Sequence, residues 1–135
     1  MKKIPIVFVS LLIVIIMFLV FNNKTGALQI VKDESYFSGF SVKDDKVYIK
    51  CEIVVRNPFS IDKTFKFNAI LKDDVELGLL KDENLKGYNE DLINNEFKIE
   101  KKYTSTFSVF FVGDFAGENK KHDRNLPEII ISPVE

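Results

Sequence analysis

Few side chains in this sequence have a type that could carry out chemistry. His122 is the only histidine, in the run Lys120-Lys121-His122-Asp123-Arg124. A catalytic histidine needs an orienting acid and a nucleophile nearby in the fold, and the sequence has no G-x-S-x-G element. One histidine without a second soft ligand also makes a poor metal site. The pattern predicts a protein that is not an enzyme and binds neither a cofactor nor a metal.

Cys51 is the only cysteine, so the chain cannot form an intramolecular disulfide. A nucleophilic thiol needs exposure and a basic neighbour. Cys51 instead lies in the alternating run from Lys46 to Asn57, on the same face as four aliphatic side chains. Period-two alternation predicts a strand with that face in the core. We therefore expect Cys51 to be a buried, unreactive side chain.

Acidic pairs occur in three predicted turns, at Asp44-Asp45, Asp73-Asp74 and Asp82-Glu83. Calcium sites draw oxygen ligands from such turns, but the EF-hand spacing is absent and acidic turns are common without a metal. The pairs are therefore interpreted as solvated turns. Asp44-Asp45 in particular suits a tight hairpin, because aspartate tolerates left-handed backbone angles.

The strongest candidate for binding is a long loop predicted from Gly113 to Asn125. It contains two glycines and the cations Lys120, Lys121 and Arg124, whereas the sequence after the N-terminal apolar run is slightly acidic. Loops on a rigid scaffold often carry binding. The partners that such cations would suit are anionic lipid headgroups, a cell-wall polymer or a surface protein. The competing interpretation is an ordinary solvated loop.

An uncharged run of 18 residues, Ile4 to Phe21, follows Lys2 and Lys3. As a helix it would rise about 27 Å, close to the hydrocarbon thickness of a bilayer. Positive charge stays on the cytoplasmic side, so the run predicts a signal anchor with the C-terminal domain outside the cell membrane. The alternative is a cleaved signal peptide ending near Ala27, which would release a soluble secreted domain such as an inhibitor or immunity-type protein.

These segments divide the chain into a cytoplasmic N-terminus (1–3), a single-pass transmembrane helix (4–21), a linker (22–26) and one extracytoplasmic domain (27–135). The 114 residues after Phe21 have a net charge of −3, which predicts no nucleic-acid binding. Abundant lysine, asparagine and isoleucine, with only two arginines, resemble the composition of proteins from low-GC bacteria.

The domain itself reads as seven or eight short strands separated by turn signals, which predicts a β-sandwich, with a small barrel as the alternative. Within this pattern Val75 to Leu80 is expected to be a short strand with a bulge at Gly78. The polar stretch from Lys81 to Asn95 is expected to be a loop. The final strand is placed at Pro127 to Val134.

One stretch resembles a known family. Glu52 to Phe59 (EIVVRNPF) is similar to the strand and Asn-Pro step of late embryogenesis abundant, group 2, domains, and Phe65 to Leu71 and Gly78 to Leu80 follow at a similar spacing. The resemblance implies an immunoglobulin-like or fibronectin-III-like sandwich behind one membrane helix. It implies no shared catalytic residues, and Gly113 to Glu128 departs from the family pattern.

Overall fold

The structure, a computed structural model, describes residues 27–119 and 124–134. The predicted segments 1–3, 4–21 and 22–26 lie outside the described residues. Within the described ranges the chain forms eight strands, which confirms the expectation of a mainly β domain. The elements are β1 (Gln29–Ile30), a 3-10 turn (Lys32–Glu34), β2 (Tyr36–Lys43), β3 (Lys46–Arg56), β4 (Lys63–Ile70), α1 (Lys72–Glu76), β5 (Asn84–Tyr88), β6 (Phe97–Ile99), β7 (Thr104–Asp114) and β8 (Glu128–Pro133).

β3 is the central strand, and its alternating sequence explains its position. It pairs with β7 along its whole length, from Lys46↔Asp114 to Arg56↔Thr104. Its inward face is almost completely shielded from solvent, because side chains that alternate along a strand all point to one side. That face consists of Val47, Ile49, Cys51, Ile53 and Val55.

The hairpin between β2 and β3 forms where the two aspartates predicted it. Asp44 and Asp45 have φ values of 52° and 62°. Positive φ at both central residues defines the turn type whose twist matches that of two antiparallel strands. The hairpin prediction is therefore confirmed, and it fixes the register of β2 on β3.

All eight strands join in one antiparallel sheet, and β5 is the strand at which the pairing partner changes. Its first half pairs with β4 and its second half with β7. β3 therefore belongs to one half of the sheet, with β1, β2 and β7, while β4, β6 and β8 form the other half. Side chains from both halves meet in a single hydrophobic core.

Gly87 allows the two halves to approach each other at β5. A Cβ atom at this position would lie 2.6 Å from Cγ1 of Val109 and 3.0 Å from Cβ of Phe67. Both distances are too short for an added carbon without movement of the neighbours. Because Gly87 has no side chain, core residues of β4 and β7 fill the space that a Cβ atom would occupy.

Four phenylalanines pack together in this core, with ring centroids 4.9 to 6.1 Å apart. Most of the pairs are edge-to-face, the arrangement that the aromatic quadrupole favours. The rings come from three strands, so their packing joins the two halves of the sheet. They belong to Phe65 and Phe67 of β4, Phe97 of β6 and Phe107 of β7.

Two local expectations are wrong. Val75 to Leu80 is not a strand, because α1 extends to Glu76 and Gly78 follows it with φ +81°. Gly78 caps the helix rather than forming a bulge: its N–H donates to the carbonyl of Val75, and the N–H of Leu79 donates to that of Asp74. The stretch from Lys81 to Asn95 is not only a loop, because it contains β5.

β8 is an edge strand that pairs only with β4. Pro127 precedes it and Pro133 ends it. Proline has no backbone N–H to offer to an incoming strand, so the two prolines limit the length of the free edge. The predicted last strand is confirmed within a residue at each end.

The polar side chain of Asn57 lies inside the domain, with 1% of the residue exposed. Its Nδ2 group donates to the carbonyl oxygens of Ile61 and Glu100, each at 3.0 Å, and its Oδ1 accepts from the N–H of Phe59 at 3.0 Å. Its backbone N–H donates to the carbonyl of Tyr103 at 2.8 Å. Asn57 therefore joins the β3–β4 loop to the β6–β7 turn. We call residues 56–63 and 100–103 together the Asn57 tip.

The antiparallel strands give the domain two opposite ends. The chain enters β1 at the end that holds the Asn57 tip, because Gln29 pairs with Arg56. The other end, here called the far end, holds the β2–β3 turn, α1 and the start of β8, where Glu128 pairs with Ile70. Over residues 27–119 and 124–134, no helix is long and apolar enough to cross a bilayer.

The hydrogen bonds of Asn57 predict a large loss of stability on substitution. Asn57→Ala leaves two carbonyls and one N–H of the tip without this partner, and we expect it to lower the free energy of unfolding by about 2–4 kcal/mol. Asn57→Asp should cost at least as much, because a carboxylate cannot donate to the two carbonyls. Guanidinium-induced unfolding measures both. Asn119→Ala, at an exposed asparagine, is the control, and a similar small effect for all three variants would contradict the assignment.

Burial of Cys51 predicts a specific dependence of stability on pH. Burial, and secondarily the charge of Glu52, raise the thiol pKa from 9.0 to about 12. Above pH 9 the unfolded chain loses this proton and the folded chain keeps it. The free energy of unfolding is therefore independent of this thiol below pH 9. As the pH rises from 9 towards 12, it falls by about 1.4 kcal/mol per pH unit.

We expect Cys51→Ala to remove this dependence, so that the unfolding free energies of variant and parent converge between pH 9 and 11. Parallel pH profiles would show that the thiol ionises in the folded domain. Maleimide labelling gives a second measurement, since the native thiol should react only after unfolding.

Candidate functional site

A cleft at the far end has a volume of about 370 Å³. It is lined by the end of β4 and the start of α1, from Ile70 to Asp74, by the segment that leads into β8, from Arg124 to Glu128, and by Phe37 and Ile49. A second recess of about 280 Å³ shares Leu126 to Glu128 with it. Ile30 of β1 and Ile129 of β8 line the second recess.

Arg124 forms part of the cleft wall. Its Nη1 lies 2.6 Å from Oδ1 of Asp74, and both side chains are largely buried, at 12% and 8% exposure. The guanidinium also stacks over the ring of Phe40, 4.2 Å from its centroid. The carboxylate of Asp74 and the aromatic face of Phe40 offset the cost of burying the guanidinium charge. These contacts connect the segment before β8 to α1 and β2.

This position changes the interpretation of the predicted binding loop. Arg124 was expected to offer its charge to a partner in solution, but its charge is engaged by Asp74 inside the domain. Lys120, Lys121 and His122 lie outside the described residues. The chain on either side of them, at Glu118 and Arg124, lies at the far end, since the N–H of Glu118 donates to the carbonyl of Gly78.

The cleft combines polar and apolar lining. Lys72, Asp73 and Glu128 contribute charged groups to it, and Leu71 and Leu126 contribute apolar surface. A concave site with a few polar groups on an apolar surface is the usual form of a small binding site. Because both cations and carboxylates are present, the cleft suits a ligand that forms hydrogen bonds more than one that carries a large single-sign charge.

Two of the three acidic pairs have a structural role, and Asp74, which was expected in a solvated turn, is instead buried on α1. Asp44 and Asp45 form the hairpin turn, and Asp74 bonds to Arg124. Within residues 27–119 and 124–134, no group of three or more histidine, cysteine or acidic side chains is arranged to hold a metal ion. The sequence analysis singled out Asp73-Asp74. It could not identify Arg124 as the partner of Asp74, because the two residues are 50 positions apart.

Three surface groups also have shifted pKa values, and hydrogen bonds cause each shift. Lys46 and Asp114 form a hydrogen-bonded ion pair across β3 and β7, which raises the pKa of Lys46 and lowers that of Asp114. The N–H groups of Asn94 and Ile93 lower the pKa of Asp91 in the β5–β6 loop. Each of these groups lies on the exposed surface and takes part in a turn or a strand pair.

Two elements that build the cleft were not recognisable in the sequence. The end of α1, from Val75, was predicted to begin a strand, and the role of Phe40 as a surface for Arg124 depends on a contact between distant segments. In comparison with known proteins, no family model, no curated protein and no solved structure matches the chain.

Proposed function

We propose that the chain is a single-pass membrane protein whose extracytoplasmic domain is a non-enzymatic binding or structural module. The observation that carries this proposal is the placement of the two ends of the domain. The chain enters at the Asn57 tip, beside Arg56, while the cleft lies at the far end. A domain attached through segment 4–21 would therefore present its cleft away from the bilayer.

The alternative of a secreted soluble domain has one supporting observation. Ala27 is exposed and precedes β1, so cleavage near it would leave every strand intact. Sequence favours the anchor, because the apolar run from Ile4 to Phe21 is longer than a typical signal-peptide core and a small residue in a cleavage pattern appears only beyond Lys24. Mass spectrometry of the mature N-terminus distinguishes the two.

We also propose that the sheet is an immunoglobulin-like or fibronectin-III-like sandwich, as the resemblance to late embryogenesis abundant, group 2, domains implies. Support comes from the change of partner at β5, where the sheet folds so that β3 and β4 contribute to one core. The Asn-Pro step of the resemblance has a clear physical role here, because Asn57 holds two loops together.

The ligand of the cleft is proposed to be a hydrogen-bonding polymer or peptide outside the membrane, and a cell-wall glycan is the source that the localisation favours. Lys72 and Glu128, which carry opposite charges, both line the cleft. Glycan hydroxyl groups both donate and accept, so a cation and a carboxylate in one cleft can bind them at the same time.

The topology has a direct test. The full-length chain is expected in the membrane fraction after a carbonate wash, and protease added to wall-stripped cells should digest the domain, because the basic N-terminus stays inside. A cytoplasmic protein serves as the control for cell integrity. Protection of the domain would overturn the orientation, and recovery in the soluble fraction would favour cleavage near Ala27.

The cleft is tested by sedimentation of the full-length chain, in detergent, with purified cell walls. Lys72→Ala combined with Glu128→Ala should weaken binding about tenfold or more, since each removes a charge-assisted hydrogen bond. Lys43→Ala combined with Asp82→Ala is the control, because it makes the same change in charge at exposed positions outside the cleft. Equal sedimentation of both double variants and the parent would show that the cleft is not the binding site.

A further inference from the structure

The Asn57 tip exposes large hydrophobic side chains next to the point where the chain enters the domain. Ile61 is 59% exposed and Tyr103 is 56% exposed. They belong to two different loops, but Asn57 bonds to the carbonyl groups of both residues. The two side chains are therefore carried on one connected surface.

Further hydrogen bonds hold these loops in place. The N–H of Lys102 donates to the carbonyl of Phe59 at 3.0 Å, and Nζ of Lys102 donates to the carbonyl of Pro58 at 2.6 Å. The N–H of Lys101 donates to Oδ1 of Asp62 at 2.9 Å. Because the backbone is fixed in this way, the tip presents its exposed side chains with little entropy to lose on contact with a surface.

The charge of the tip is opposite to that of the far end. The tip has four cations and two carboxylates, and one of these carboxylates, Asp62, already accepts a backbone N–H. The described residues of the far end, in 43–46, 72–83, 114–118 and 124–128, have ten carboxylates and five cations. Residues 120–123 add a net charge of +1 by sequence. The domain therefore has a positive end and a negative end.

The position of the chain brings the positive end close to the proposed anchor. Six peptide units separate Phe21 from Ala27, and an extended chain covers at most about 3.6 Å per residue. Ala27 can therefore lie no more than about 22 Å from the end of the apolar segment. Ala27 is two residues before Gln29, which pairs with Arg56 of the tip.

We propose that the Asn57 tip rests on the bilayer, with Arg56 and Lys101 against anionic phospholipid headgroups and with Ile61 and Tyr103 in the interfacial layer. Tyrosine favours this layer because its ring is apolar and its hydroxyl is polar. Basic side chains are attracted to anionic lipid at short range. The negative far end is repelled by the same surface, so the charge asymmetry orients the domain with its cleft outward. The inference rests on the proposed membrane anchor.

Fluorescence quenching can measure this contact, because the chain has no tryptophan. Tyr103→Trp introduces one at the tip, and Asp82→Trp introduces one at an exposed position of the far end. Each full-length variant is reconstituted in nanodiscs of equal parts phosphatidylcholine and phosphatidylglycerol, or of phosphatidylcholine alone, with brominated acyl chains as the quencher. We expect tryptophan at 103 to be quenched in the anionic discs more than in the neutral ones, and tryptophan at 82 in neither.

Charge variants in the Tyr103→Trp background test the role of the cations. Arg56→Thr combined with Lys101→Ser should lower the contact equilibrium about thirtyfold if each cation contributes as a lysine near a surface does. Lys43→Thr combined with Lys81→Ser is the matched control, with one strand and one loop position at the far end. Circular-dichroism melting of each variant confirms that the fold is retained.

Quenching at 103 that does not exceed quenching at 82, or that is equal in neutral and anionic discs, would overturn the proposed contact. So would unchanged quenching in the Arg56 and Lys101 double variant. In each of these results the chain still migrates with the discs, and the anchor stands. Chain that does not migrate with the discs in gel filtration overturns the anchor itself, and with it the contact.

Discussion

Burial of the Asn57 amide is the constraint on which one whole end of the domain depends. A polar side chain with 1% exposure is tolerated only when its donors and acceptor are paired. Here the partners are backbone groups of the β3–β4 loop and of the β6–β7 turn. The amide therefore helps to fix the two loops relative to each other.

The parts of the fold that follow from local alternation could be predicted, and β3 is the clearest example. Its inward side chains are all apolar, so period two is visible in the sequence itself. β5 could not be predicted in the same way. One of its two inward positions is Gly87, whose space is filled by Val109 and Phe67, so the apolar signal is missing where the strand is most tightly packed.

The cleft shows the same limit for function. The sequence identified Arg124 as a cation and Asp74 as part of an acidic pair, but it treated both as solvated, because nothing local relates them. Their contact depends on the far end bringing α1 and the approach to β8 together. Opposite charges distant in sequence are paired here, and the excess of cations over carboxylates lies at the other end, in the Asn57 tip.

The pairing of β3 with β7 has a consequence for the order in which the domain can fold. Lys46 meets Asp114, so 67 residues lie between the two partners. During synthesis the β2–β3 hairpin can form as soon as it emerges, since its contacts are local. The apolar face of β3 stays uncovered until the later strands have been made. Long-range strand pairing of this kind forms slowly. Until β7 is made, the edge of β3 that pairs with it is unpaired, and unpaired strand edges in a partly folded domain are prone to aggregation.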